Sequence, residues 1–298
     1  MSQSRTNLQA FVDEQVRKIK GIYFPVRVSW LKRFLTRKLP CASLYPNPYD
    51  EFSLPEIGPS AEVISHYEKL YREARGDLSE LAFQRSPAAE PLIVQKLSPD
   101  GYMILNGHHR WIAAMRAGIR KLPVQIVNLT QENDVRRMLE RSGGAMRAVF
   151  DLDEVVFREG ARSGAPRRRA GAGIPADWVR REIPALFSQL EEQGYDIWVY
   201  AAGYDSADDI ERLFRRLRVP VRGVVTGMAR KAARSADMRA ELRKLLETRY
   251  RSATHIDRKM ILRTTAGSKD VESRALSGDE RRWPEEVLEV IGEMDRHE

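Results

Sequence analysis

One cysteine in 298 residues, Cys41, excludes an intrachain disulfide and leaves no thiol cluster for zinc. No apolar run approaches the ~20 residues that a membrane-spanning helix needs, and the first residues lack the apolar core of a signal peptide. The expectation is a cytoplasmic chain with no transmembrane segment. Internal repeats and zinc motifs are also missing. Acid is scarce at the start: residues 1–40 hold nine Lys or Arg against two acids, a net of +7 within a total of +8. Everything beyond residue 40 is therefore nearly neutral, which argues against a uniformly basic protein.

What is present suffices for two packed domains, since 42% of the residues are hydrophobic. Residues 1–44 read as a basic amphipathic helical segment. Leu8, Phe11, Val12, Val16 and Ile19 share one helical face, Val28, Trp30, Leu31, Leu35 and Leu39 share the next, and Pro25 separates them. Such a pair suits nucleic acid, an acidic membrane surface or an acidic partner, or it braces its own domain with solvated cations outside. The Pro-rich stretch Tyr45–Pro59 reads as an ordered irregular loop, and its Asp50, Glu51 and Glu56 are magnesium ligands or solvated acids.

The densest chemistry lies in Gly101–Gly118. Tyr102–Leu105 reads as a short buried strand, Asn106-Gly107 as a turn in which Gly107 takes positive φ, and Trp111, Ile112, Met115 and Ile119 recur at helical spacing. His108, His109 and Arg110 then fall in the first helical turn, where backbone N–H groups and the helix field favour phosphate. The alternative is structural: one histidine caps a turn and Arg110 pairs with Glu62 or Glu90.

Pro91–Val94, Asp100–Ala114, Gly118 and Pro123-Val124 together resemble the ParB/sulfiredoxin fold, an α+β domain placed here at residues 45–135. The resemblance implies that Asn106, Gly107, His108, His109 and Arg110 cradle a nucleotide, ATP or a related nucleoside phosphate. The His-His-Arg version looks closest to the free-serine-kinase branch, in which Glu62 would act as base toward a substrate hydroxyl, with Glu56 as rival.

A second domain starts near residue 145. Met146–Phe150 reads as a strand that ends in Asp151 and Asp153, and alternating helices and apolar strands follow to Thr254–Asp257, which implies a parallel α/β sheet. Residues 145–265 resemble the haloacid dehalogenase superfamily, with a Rossmannoid sheet. The resemblance implies Asp151 as nucleophile, Asp153 as general acid, Lys231 as charge stabiliser, and Mg²⁺ held by Asp151, Asp153 and Asp257. Ala201-Ala202 stands where that family has Ser or Thr, so the domain is a phosphatase or a pseudo-phosphatase. Arg158–Arg181 would clamp an anionic substrate or lie solvated, and residues 266–298 read as a polar extension ending in a helix.

The leading expectation is thus a nucleotide- and Mg²⁺-dependent phosphoryl-handling enzyme, a kinase joined to a phosphatase-like module, acting on a small phosphorylated or hydroxyl substrate. The alternatives are a ParB-type nucleic-acid-binding protein or nuclease, using residues 1–40 and Arg158–Arg181, and a non-catalytic nucleotide sensor.

Overall fold

The computed structural model describes residues 2–76, 86–162, 173–227 and 244–296. The chain forms two compact units that meet in sequence between Asn128 and Leu129. Each has its own sheet and core.

In the first unit, α1 (Ser2–Ile19), β1 (Phe24–Pro25), α2 (Trp30–Leu35), β2 (Lys38–Pro40) and β3 (Leu44–Pro46) precede α3 (Ala61–Gly76), β4 (Leu92–Ser98), β5 (Tyr102–Asn106), α4 (His108–Arg116) and β6 (Lys121–Ile126). The sheet runs β2-β6-β4-β5-β3, and β1 adds to β4. Leu8 and Val12 of α1, Ile64 and Tyr71 of α3, and Trp111 and Ile112 of α4 share one core with Leu92, Val94, Ile104, Leu122 and Val124 of the sheet. Val28, Leu39 and Cys41 join the same core, so the N-terminal segment is built into this unit. The second helix expected on Val28–Leu39 shrinks to the six residues of α2. Prolines at both ends and the pairing of Leu39 with Leu122 pull the flanks into strands instead. Asn128 clamps the entry to α2, its side chain exchanging two 2.9 Å hydrogen bonds with the backbone of Val28.

In the second unit, α5 (Glu132–Glu140) leads into β7 (Met146–Asp151), α6 (Ile183–Glu192), β8 (Tyr195–Ala201), α7 (Ala207–Leu217) and β9 (Gly223–Thr226). A helical stretch at 244–249 then precedes β10 (Ser252–Ile256), β11 (Met260–Thr265), β12 (Val271–Ala275) and α8 (Trp283–Arg296). The sheet order is β12-β11-β10-β7-β8-β9, and β10, β7, β8 and β9 are parallel. Apolar residues occupy successive positions in β8 because both faces are covered: Ile197 and Val199 face the α6, α7 and α8 side, and Trp198 faces Val135 and Met138 of α5. β11 and β12 are antiparallel additions to the sheet, and β12 lies in the stretch expected to be a polar extension. β11 buries Ile261 and Arg263, whereas the polar sequence of β12 follows from its exposure at the edge of the sheet.

A buried ion pair anchors the C-terminal helix. Arg263, 2% exposed, donates to Asp295 (2.6 Å), to the Tyr195 hydroxyl (2.6 Å) and to Thr254 Oγ1 (3.2 Å).

Candidate functional site

The strand, turn and helix at Tyr102–Arg116 form as the sequence predicts. Gly107 is the N-cap of α4 with φ 101°, a conformation that a side chain would make costly. A Cβ there would also lie 2.9 Å from Leu92 Cγ and 3.0 Å from the Arg110 guanidinium, so the turn is closed over its own arginine.

The five residues expected to cradle a nucleotide are brought together, but their side chains turn inward. His108 is 5% exposed; its Nε2 accepts the Asn47 N–H (3.2 Å), its Nδ1 faces Asp50 (3.7 Å), and its ring stacks on Phe52. His109 Nε2 accepts the Ser60 N–H (3.1 Å), and burial lowers its pKa. Arg110 donates to the Glu90 carbonyl and to Asn106 Oδ1 (3.3 Å), with the Glu90 carboxylate at 3.8 Å. The side chains of Asn106, His108, His109 and Arg110 thus all have partners within the fold, and the ATP expectation is corrected. Glu62 sits exposed in the first turn of α3, two residues beyond the Ser60 that holds His109.

The magnesium site is corrected on the same ground. Asp151 spends Oδ1 on the N–H groups of Asp153 (2.7 Å) and Glu154 (2.8 Å), as the cap of a short helical turn. Asp153 is ion-paired with Arg162, which also binds Asp205 at 2.5 Å, so a guanidinium neutralises the carboxylates where a metal was expected. Desolvation raises the Asp153 pKa against the lowering pull of Arg162. Asp257 turns away to cap its own hairpin through the Lys259 N–H (3.1 Å). Among the described residues, no group of three or more His, Cys, Asp or Glu could hold a metal ion. Lys231 and Arg167, Arg168 and Arg169 of the arginine segment lie outside the described residues. Of the flanking arginines, Arg158 pairs with Asp177 (3.6 Å) and Arg180 with the Phe157 carbonyl (3.1 Å) and Glu182 (3.8 Å). Cys41 is buried and desolvation raises its thiol pKa.

A feature that the sequence reading did not assemble emerges from the first sheet. Residues 15–49 contain eight Lys or Arg and no acid, and residues 101–128 contain four and no acid. Antiparallel pairing of β2 with β6 joins these two stretches, with Lys38 opposite Pro123 and Pro40 opposite Lys121. Leu39 and Leu122 point into the core, so Lys38 and Lys121 stand on the opposite, exposed face. Arg37, Arg116 and Arg120 are exposed nearby in sequence, and the Arg37 carbonyl accepts the Val124 N–H (2.9 Å). Counting acid-free windows would have revealed both stretches, but only strand pairing shows that they are one surface.

Comparison with known proteins gives a family match to the ParB N-terminal domain over residues 73–142. No curated protein matches the chain. Among solved structures, it is similar to the C-terminally truncated chromosome-partitioning protein ParB of Caulobacter crescentus in two complexes. That complexed to the centromeric parS site is 22% identical, with a TM-score of 0.22, over 36% of this chain and 47% of that one. That complexed with CTP-gamma-S is 26% identical, with a TM-score of 0.23, over 36% of this chain and 58% of that one. The chain thus spans about half the length of these relatives, and the likeness is too weak to argue from. A ParB N-terminal-like region is therefore present, whereas nothing found supports the haloacid dehalogenase resemblance of residues 145–265. The phosphotransferase and phosphatase expectations, with their ATP and Mg²⁺, are overturned: among the described residues no group of three or more His, Cys, Asp or Glu could hold a metal ion, and Asp151 and Asp153 are bonded within the fold.

Proposed function

We propose that this chain is a nucleic-acid-binding protein of ParB type, which grips the phosphate backbone with the basic β2–β6 edge of its first unit. The observation that carries the reading is the union of two acid-free stretches at the β2–β6 pair, which sets Arg37, Lys38, Arg120 and Lys121 on one edge. The match to the ParB N-terminal domain supports it. Cations without acidic neighbours attract a polyanion and release its condensed counterions; acids interspersed among them would cancel that field. Both lysines extend from strands of a packed sheet, so their backbones need no ordering on binding.

In this reading His108, His109 and Arg110 are structural. They tie α4 to the loops at Asn47 and Ser60 and to the chain at Glu90, and so hold β6, which follows α4, at a fixed place beside β2. The contact is to backbone phosphates, and it confers affinity without sequence preference. The test is binding of labelled mixed-sequence DNA across a salt series. Steep weakening with salt is expected, and salt-independent or absent binding would reject the reading.

A further inference from the structure

Nine large hydrophobic side chains are prominently exposed among the described residues, and five of them fall within residues 22–35: Ile22 (66%), Phe24 (59%), Trp30 (43%), Leu31 (57%) and Leu35 (65%). This is no loose segment. Phe24 and Pro25 are paired with Ser98 and Leu97 of β4, Asn128 clamps Val28, and β2 follows at once in register with β6. Trp30 stacks on Phe34 at 5.6 Å, which stiffens α2. Lys32 of α2 lies close enough to Lys96 of β4 to help burial lower the Lys96 pKa against the raising pull of Asp100, which also hydrogen-bonds Tyr23, so α2 and β1 both sit by that strand. Exposed cations are interleaved with the apolar residues: Lys20, Arg27, Lys32, Arg37 and Lys38.

We infer that the segment Lys20–Lys38 is a docking surface for an anionic lipid bilayer, which the protein meets as a peripheral partner. Charge complementarity selects the occupant. The segment contains no acid of its own and stays net positive beside Asp100, so it repels a second copy of itself, which argues against a dimer through this face. Nucleic acid satisfies the cations and can stack on aromatic rings, yet offers little to Ile22, Leu31 and Leu35, because its outer surface is phosphate and sugar. A bilayer interface takes both kinds of side chain at once. Lipid phosphates meet the Lys and Arg groups, the aliphatic tips reach the acyl boundary, and Trp30 suits the headgroup layer between them. Among the described residues no helix is long and apolar enough to cross a membrane, so the contact is with the surface. The basic edge at Lys38 and Lys121 is continuous with this segment, so nucleic acid and membrane would share the cations but not the aliphatic residues.

The experiment is co-sedimentation of the full chain with vesicles of phosphatidylglycerol and phosphatidylcholine, beside vesicles of phosphatidylcholine alone. Wild type is expected to bind the anionic vesicles and to leave the neutral ones largely unbound. Leu31→Ser with Leu35→Ser should weaken vesicle partitioning at least about tenfold, given the apolar area withdrawn from water at each leucine. Both residues are exposed, so the fold should persist, as circular dichroism would show. The same variant should retain salt-sensitive DNA binding, which separates this inference from the nucleic-acid reading. Wild type that ignores anionic vesicles, or a double variant that binds them as well as wild type, would overturn it. So would a loss of DNA binding in the double variant equal to its loss of vesicle binding, or a wild-type dimer that the variant abolishes.

Discussion

Replacing Lys38 and Lys121 together by glutamine tests the basic face most directly. The two residues lie diagonally across the β2–β6 pair, where Cα atoms are about 7–8 Å apart, near enough for both ammonium groups to meet one nucleic-acid strand. With Arg37 and Arg120 they make four cations at this edge. If each neutralises one phosphate of a duplex, log K should fall against log salt with a slope of about −3.6 in the wild type, at roughly 0.9 per contact. The double variant loses two contacts and should show a slope near −1.8. Extrapolated between 1 M and 0.1 M salt, the missing contacts amount to a factor of about 60 in affinity at the lower concentration. Fluorescence anisotropy with a labelled duplex at several salt concentrations measures both slopes. Lys269→Gln, an exposed cation of the second unit, serves as control and should leave the slope unchanged. A double variant with the wild-type slope would refute the argument, because the phosphates would then be gripped elsewhere.

Four further outcomes follow from the geometry. His109 accepts a hydrogen bond through Nε2 and its pKa is lowered by burial, so the unfolded chain takes up its proton first; stability should be full above about pH 6.5 and decline as the pH falls below it. His109→Gln should flatten that decline in urea melts at pH 7 and pH 5, and an unchanged profile would remove His109 as its source. The Tyr250 hydroxyl, its pKa pushed up to about 12 chiefly by burial, donates to Asp196 (3.0 Å) and accepts from Trp198 Nε1 (2.9 Å). Tyr250→Phe should therefore destabilise the second unit by about 1–3 kcal/mol in a denaturant titration, since buried partners are left unsatisfied. Gly107→Ala should lower stability by about 2 kcal/mol from positive φ and the crowding at Leu92, with a matching drop in melting temperature. Finally, Mg²⁺ and EDTA should give the same melting temperature, whereas Arg162→Ala should lower it by exposing the repulsion between Asp153 and Asp205; a Mg²⁺-dependent rise in the wild type would contradict the account of that site.

The sequence was most informative where one local rule governs several residues. The turn at Gly107 and the helix after it are legible because positive φ and a 3.6-residue period act within fifteen residues. The parallel strands β7 and β8 are legible as apolar runs with both faces covered. What the side chains of His108, His109 and Arg110 do was not legible, since Asn47, Ser60 and Glu90 lie between about 20 and 61 residues away and only the fold brings them near. The same holds for Arg162, whose second partner Asp205 is 43 residues distant. Carboxylates two residues apart at a strand end are equally suited to a metal or to a guanidinium, and the sequence motif alone does not distinguish them. β12 escaped notice because an exposed edge strand needs no apolar alternation.

The position of β7 also governs how the second unit can assemble. β8 and β9 follow β7 closely, but its other neighbour, β10, arrives about a hundred residues later in the chain. Until then β7 is an open edge, and the buried side chains of Ala148 and Phe150 flank a row of unpaired backbone groups. Closing that gap is a contact of long sequence separation, which slows folding and leaves a sticky intermediate exposed in the meantime. During synthesis the chain must emerge past Ile256 before this edge can be sealed, so the same sheet that gives the mature unit its core makes the nascent one a substrate for chaperones or for aggregation.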